Sequence, residues 1–137
     1  MANSHSVAMQ LIRRALLQNA DLVAEIEGRV YLDHFYSFET QNTVMPAVII
    51  DPRGGRSNPG MAYQRLQIDV YVYTKHSSGS AEKIYDLVYQ ALNQTRLYHT
   101  DTEQGGSCHE IFRPLAGYNN EVKAYFRRGT YAYNGAG

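Results

Sequence analysis

The chain has no tryptophan, one cysteine and no net charge, and each of these narrows what it can be. The lone thiol, Cys108, excludes an intramolecular disulfide and fits a reducing compartment. With 13 basic and 13 acidic residues, the balance argues against a protein that works by neutralising many phosphates, and against a basic membrane-surface module. Zero net charge gives a free protein little colloidal protection, a condition that a subunit built into an assembly tolerates. Long apolar runs are also missing. Ala47-Val48-Ile49-Ile50 is typical of the longest, and no run could span a bilayer. The opening Met1-Ala2-Asn3-Ser4-His5-Ser6 lacks the apolar core of a signal peptide.

What is present is tyrosine, 12 in 137 residues. Tyrosine is common where protein surfaces meet, because it carries large contact area and a polar tip. It is equally a good strand residue. The length fits one domain spanning residues 1–137, with loose ends expected at about 1–4 and 134–137.

The most informative segment runs from Tyr63 to Leu92. Over Tyr63–Tyr73 the side chains alternate, so Leu66, Ile68, Val70 and Val72 share one face. Tyr63, Arg65, Gln67, Asp69, Tyr71 and Tyr73 share the other. After a polar linker, Ala81, Ile84, Tyr85, Val88, Ala91 and Leu92 form a helical stripe. The apolar strand face can bury under that helix. The other is too aromatic for idle surface and too charged for a dry core.

Elsewhere, Ala8, Leu11, Ile12, Ala15 and Leu16 predict a first helix capped by Ser4 or Ser6, and Asp21 a cap for a short piece, Leu22–Glu27, stopped by Gly28. Strands are expected over Arg29–Tyr36, Ala47–Asp51, His109–Leu115 and Val122–Tyr133, with a possible bulge at Gly129. Residues 51–60 and 98–107 read as polar loops. The order α, β, β, β, α, β, β predicts an α+β domain: one largely antiparallel sheet of about five strands, with two main helices packed on one face.

Chemistry is scarce. The histidines, His5, His34, His76, His99 and His109, include no pair at ligand spacing, and no Cys-x-x-Cys occurs. Cys108 and His109 are neighbours in a strand and point to opposite faces. No Gly-x-Ser-x-Gly elbow and no P-loop is present; Arg53-Gly54-Gly55-Arg56 could attract an anion, but it opens a strand rather than a helix. No catalytic residue, metal site or cofactor is therefore expected.

Three stretches together resemble bacteriophage tail-terminator (tail-completion, head–tail joining) proteins. They are Val23-Ala24-Glu25-Ile26-Glu27-Gly28-Arg29-Val30-Tyr31, the strand entry Met45-Pro46-Ala47-Val48-Ile49-Ile50, and the strand–linker–helix from Leu66 to Val88. The resemblance covers about residues 7–133 and lies in order and spacing rather than in a signature. It implies helices on one face of a sheet and a homo-oligomeric ring, usually of six, at the head-proximal end of the tail tube. Such a ring ends tube growth, docks head completion and neck proteins, and lets genome DNA pass without sequence-specific binding. It implies a virion protein assembled in the host cytoplasm, with no membrane, cofactor or catalysis. The segments 51–60 and 98–107 become candidates for contacts along the tail axis. A ring needs two different patches in contact, and Tyr63, Arg65, Tyr71 and Tyr73, with Arg53 and Arg56, are the expected interface residues. The alternatives are another neck component (adaptor or stopper), a small enzyme or ligand-binding domain using the aromatic face as a pocket, and a small nucleic-acid regulator.

Overall fold

Alternation in the long central strand sorts its residues as the pattern requires. Leu66, Ile68, Val70 and Val72 are all buried beneath helices. Each fully buried side chain of this kind contributes about 1.5–3 kcal/mol. The structure, a computed structural model, describes residues 5–32, 45–57, 63–93, 95–99, 104–120 and 123–136.

Helix α1 (His5–Leu17) is followed by α2 (Ala20–Ile26), β1 (Val30–Tyr31), β2 (Ala47–Ser57) and β3 (Tyr63–Thr74). Then come α3 (Ser78–Leu92), β4 (Thr95–His99), β5 (Gln104–Asn119) and β6 (Ala124–Ala136). The fold is α+β. One six-stranded sheet has the order β1-β2-β3-β6-β5-β4, antiparallel except for the short β1–β2 pair. Side chains of all three helices join one apolar cluster with one face of the sheet.

The local signals explain the element ends. Asn19 rather than Asp21 caps α2, its side chain accepting from the Leu22 amide at 3.0 Å; Asp21 sits in the first turn, where a negative charge suits the helix dipole. Glu27 and Gly28 are both left-handed and end that helix. Ser77, at the end of the polar linker, caps α3 by accepting from Ser80 N at 3.0 Å. For α1, Ser6 lies inside the helix and Ser4 lies outside the described residues.

Several expectations need correction. The loop expected over 98–107 is largely a hairpin: β4 pairs with Gln104–Cys108, and Leu97 is buried in the core. The loop expected over 51–60 is strand as far as Ser57, because a bulge between Pro52 and Gly54 absorbs the proline and pairing resumes. β5 runs past the strand end expected at Leu115, as far as Asn119. β6 keeps Asn134, Gly135 and Ala136 paired, so these residues are not a loose tail. Of the strand expected over Arg29–Tyr36, only Val30–Tyr31 is strand, and residues 33–36 lie outside the described residues; Val122 does as well. Gly129 stays in register in the β3–β6 ladder, which runs from Tyr63↔Ala136 to Thr74↔Tyr125 without a shift, while the β5–β6 ladder shifts beside it, between Phe112↔Thr130 and Leu115↔Arg128, with the extra residue on β5.

Among the described residues no helix is long and apolar enough to cross a membrane.

Candidate functional site

The face of the sheet turned away from the helices is organised in rows set by strand register. One row crosses five strands: Tyr31, Ile49, Tyr71, Arg128 and Leu115. The next holds Ala47, Tyr73, Phe126 and Gly117. On the other side of the first row stand Asp51, Asp69, Thr130 and Phe112. Further along come Gly54, Gln67, Ala132 and His109, then Arg56, Arg65, Asn134, Ser107 and Arg96. The described side chains of this face therefore grade from aromatic at the β3 C-terminal end to polar at the other, with Gln67, His109, Asn134 and Ser107.

The aromatic half makes a second, smaller core. Ile49, Tyr73 and Ala124 are buried, and Tyr31, Met45, Tyr71 and Phe126 pack around them. The Tyr71 and Tyr73 rings stack with centroids 5.7 Å apart and planes 8° from parallel. Phe126 tilts against both, at 6.2 Å and 5.8 Å. Such pairs add about 0.5–1.5 kcal/mol each beyond area burial. Burial, with the neighbouring Tyr71 phenol, raises the Tyr73 hydroxyl above its usual range, against a hydrogen bond with Asn119. Asp69 is 8% exposed and accepts from Thr130 Oγ1 at 2.6 Å.

The expected interface residues are thus only partly brought together. Tyr71 and Tyr73 join, but Tyr73 is 2% exposed and serves the small core. Tyr63 and Arg65 stand at the opposite end of β3, across from Ala136 and Asn134, and Arg56 stands across from Arg65. Arg53 falls at the β2 bulge. The side chains of Tyr63, Arg65, Arg53 and Arg56 lie outside the described residues.

Sequence reasoning missed the exposed apolar side chains of β5. Phe112 is 54% exposed, Leu115 50% and Tyr118 47%. Tyr118 points to the helix side and meets Tyr125 edge-on at 5.0 Å. β4 covers β5 only along Gln104–Cys108; beyond that, no further strand lies outside β5 among the described residues. The signal was available: Ile111-Phe112-Arg113-Pro114-Leu115 combines apolar side chains with a proline, which is an edge-strand combination.

Two hollows lie elsewhere. One, of about 610 Å³, is lined by Gln10, Arg13, Arg14, Leu17, Gln18 and Leu32, where α1 meets the end of β1. The other, of about 430 Å³, includes Glu25, Pro46, His76 and Ile84.

Among the described residues Cys108 and His109 do not assemble a nucleophile. Cys108 is fully buried opposite Tyr133, and burial pushes its thiol up to about 12, so it stays protonated. His109 points to the other face, opposite Ala132. Among the described residues no group of histidine, cysteine and carboxylate side chains could hold a metal ion. The polar network under α3 is a structural tie: Tyr85 Oη donates to Glu110 Oε2 at 2.5 Å and lies 2.9 Å from Tyr131 Oη. The Glu110 amide donates to Asn93 Oδ1 at 3.0 Å, fixing the end of the helix to β5.

Fold and surface together define an α+β domain whose sheet packs one face on the helices and carries a small aromatic core on the other. No protein-family model matches the chain, and no curated protein matches it. A solved structure does: a chain of the "Virion of native gene transfer agent (GTA) particle" superposes with a TM-score of 0.68 at 16% identity, over 98% of this chain and 100% of that one. At that identity the likeness is one of fold.

Proposed function

We propose that the chain is a structural subunit of a phage-like virion and, within it, a tail terminator. Six copies form a ring at the head-proximal end of the tail tube, stop tube growth and present the surface on which head completion and neck proteins dock. Genome DNA passes through the ring without sequence-specific binding. The subunit works by shape and contact, with no catalysis and no cofactor.

The observation that carries this reading is the full-length fold likeness to a chain of a gene transfer agent virion. Three facts support it. The resemblance in the Leu66–Val88 strand, linker and helix points to the same kind of particle. The face of the sheet turned away from the described helices carries an aromatic cluster, with Tyr31, Tyr71 and Phe126 packed around Tyr73. The single thiol is sealed in the core and cannot act as an exposed nucleophile.

Native mass measurement tests the ring: six chains of 15.5 kDa give a closed assembly of about 93 kDa. Electron microscopy of particles lacking the protein tests the role. A terminator leaves overlong tails on its loss. Heads that leak DNA, with tails of normal length, would instead identify a stopper or adaptor.

A further inference from the structure

A ring contact joins two different patches, one on each side of the subunit. The fold carries a pair of unlike features at opposite edges of its sheet. At the β5 edge, Phe112 and Leu115 project from the helix-free face and Tyr118 from the helix face, each about half exposed. At the β1 edge, the hollow of about 610 Å³ has Leu17 and Leu32 as apolar wall and the exposed Arg13 and Arg14 beside them. Arg13 Nε donates to Val30 O at 3.2 Å, which holds that guanidinium against the edge strand.

We propose that the β5 edge bearing Phe112, Leu115 and Tyr118 seats in the α1–β1 groove of a second copy of this chain, head to tail. The inference rests on the ring reading and assigns its contact.

The chemistry of the two sides is complementary. Aromatic rings stack on guanidinium groups through the ring quadrupole, and aromatic and arginine side chains are enriched at interfaces, whose buried centres are more apolar than the rest of the surface. The groove offers both partners an aromatic ring needs, an apolar wall and a cation. Copies with 13 acidic and 13 basic residues carry no net charge to repel one another. A polyanion fits the neutral chain less well, and the apolar β5 side chains offer it nothing.

Strand-to-strand joining is a poorer mode for this edge. Pro114 has no amide hydrogen, and β5 shifts register twice, between Glu110 and Phe112 and between Phe112 and Leu115. These are the devices that blunt an edge against ladder growth. They leave side chains, not the backbone, to make the contact.

The test uses the full chain with Leu115→Cys and Gln18→Cys, alone and together, under mild oxidation. Cys108 is fully buried and stays in place. The double variant should give a ladder of covalent multimers closing at the ring size. Each single variant should give none, and a mixture of the two singles only dimers. Crosslinked dimers from Leu115→Cys alone would mean a two-fold contact and overturn the inference. No crosslinks beside an intact ring mass would overturn it while leaving the ring reading standing. A protein that stays monomeric at all concentrations would sink both. Phe112→Ser with Leu115→Ser gives a second measurement: ultracentrifugation should show association weakened at least tenfold, with circular dichroism of the diluted protein showing the subunit still folded, because both side chains are about half exposed. Unchanged association would count against the proposal.

Discussion

The phenol of Tyr85 occupies the space where a side chain on residue 129 would begin. A Cβ built at Gly129 would lie 2.6 Å from Tyr85 Cζ and 2.8 Å from Cε1, well inside contact distance. Gly129 is therefore a seat for the ring that locks α3 onto β6. The phenol cannot swing aside cheaply, because its hydroxyl is held by Glu110 and Tyr131. Gly129→Ala should cost about 1–3 kcal/mol by overpacking. Adding Tyr85→Leu should recover part of that loss, so the two changes should be non-additive in urea unfolding. Strict additivity would refute the seat.

Two buried tyrosines on the helix side of the sheet and α3 should behave in opposite ways. Tyr85→Phe removes the hydrogen bond to Glu110 and the link to Tyr131, and should cost about 1–3 kcal/mol. Tyr133 is buried with its hydroxyl lacking a hydrogen-bond partner among the described residues. Tyr133→Phe should therefore be neutral or stabilising by about 1 kcal/mol. Chemical denaturation of the two variants side by side distinguishes them.

Stability should fall in alkali, beginning near pH 9. Burial raises the Cys108 thiol from 9.0 to about 12, and raises the Tyr85, Tyr131 and Tyr133 phenols above 10.0. The unfolded chain gives up these protons first, so it binds fewer protons than the fold as pH rises. The stabilisation is fully present below pH 9 and is lost progressively above it. Cys108 alone accounts for about 1.4 kcal/mol per pH unit between its unfolded and folded values, and the tyrosines steepen the loss above pH 10. Cys108→Ala should flatten the slope between pH 9 and 10. Urea midpoints at pH 7, 8.5, 9.5 and 10.5 measure it.

The stacked pair Tyr71 and Tyr73 should separate in effect. Tyr73→Ser empties the small core and should cost about 2–4 kcal/mol. Tyr71 is only half-buried, so Tyr71→Ser should cost less, about 1 kcal/mol. Thermal melts rank the two, and equal losses would contradict the burial difference.

Removing the Thr130 hydroxyl tests the buried carboxylate on the same face. Thr130→Val deletes the 2.6 Å donor to Asp69 and should cost about 1–3 kcal/mol at neutral pH. Equilibrium unfolding reads the loss.

Periodicity in the sequence determined the main elements. Leu66, Ile68, Val70 and Val72 declared one buried face, and Ala81, Ile84, Tyr85, Val88 and Leu92 the helix above it, because spacings of two and near four are properties of backbone geometry. Alternation also placed Tyr71 and Tyr73 on the far face, and separated Cys108 from His109. Strand pairing was not legible, since it joins residues far apart in the chain. Thr95–His99 became a strand because Gln104–Cys108 offered it a ladder, and β2 passed through Pro52 because a bulge kept its register with β3. The tertiary structure alone decided that Tyr73 is core, that Gly129 makes room for Tyr85, and that Phe112, Leu115 and Tyr118 remain exposed. Exposure depends on which neighbours arrive; Pro114 marks an edge strand in the sequence, but only the packing decides which of its side chains stay bare.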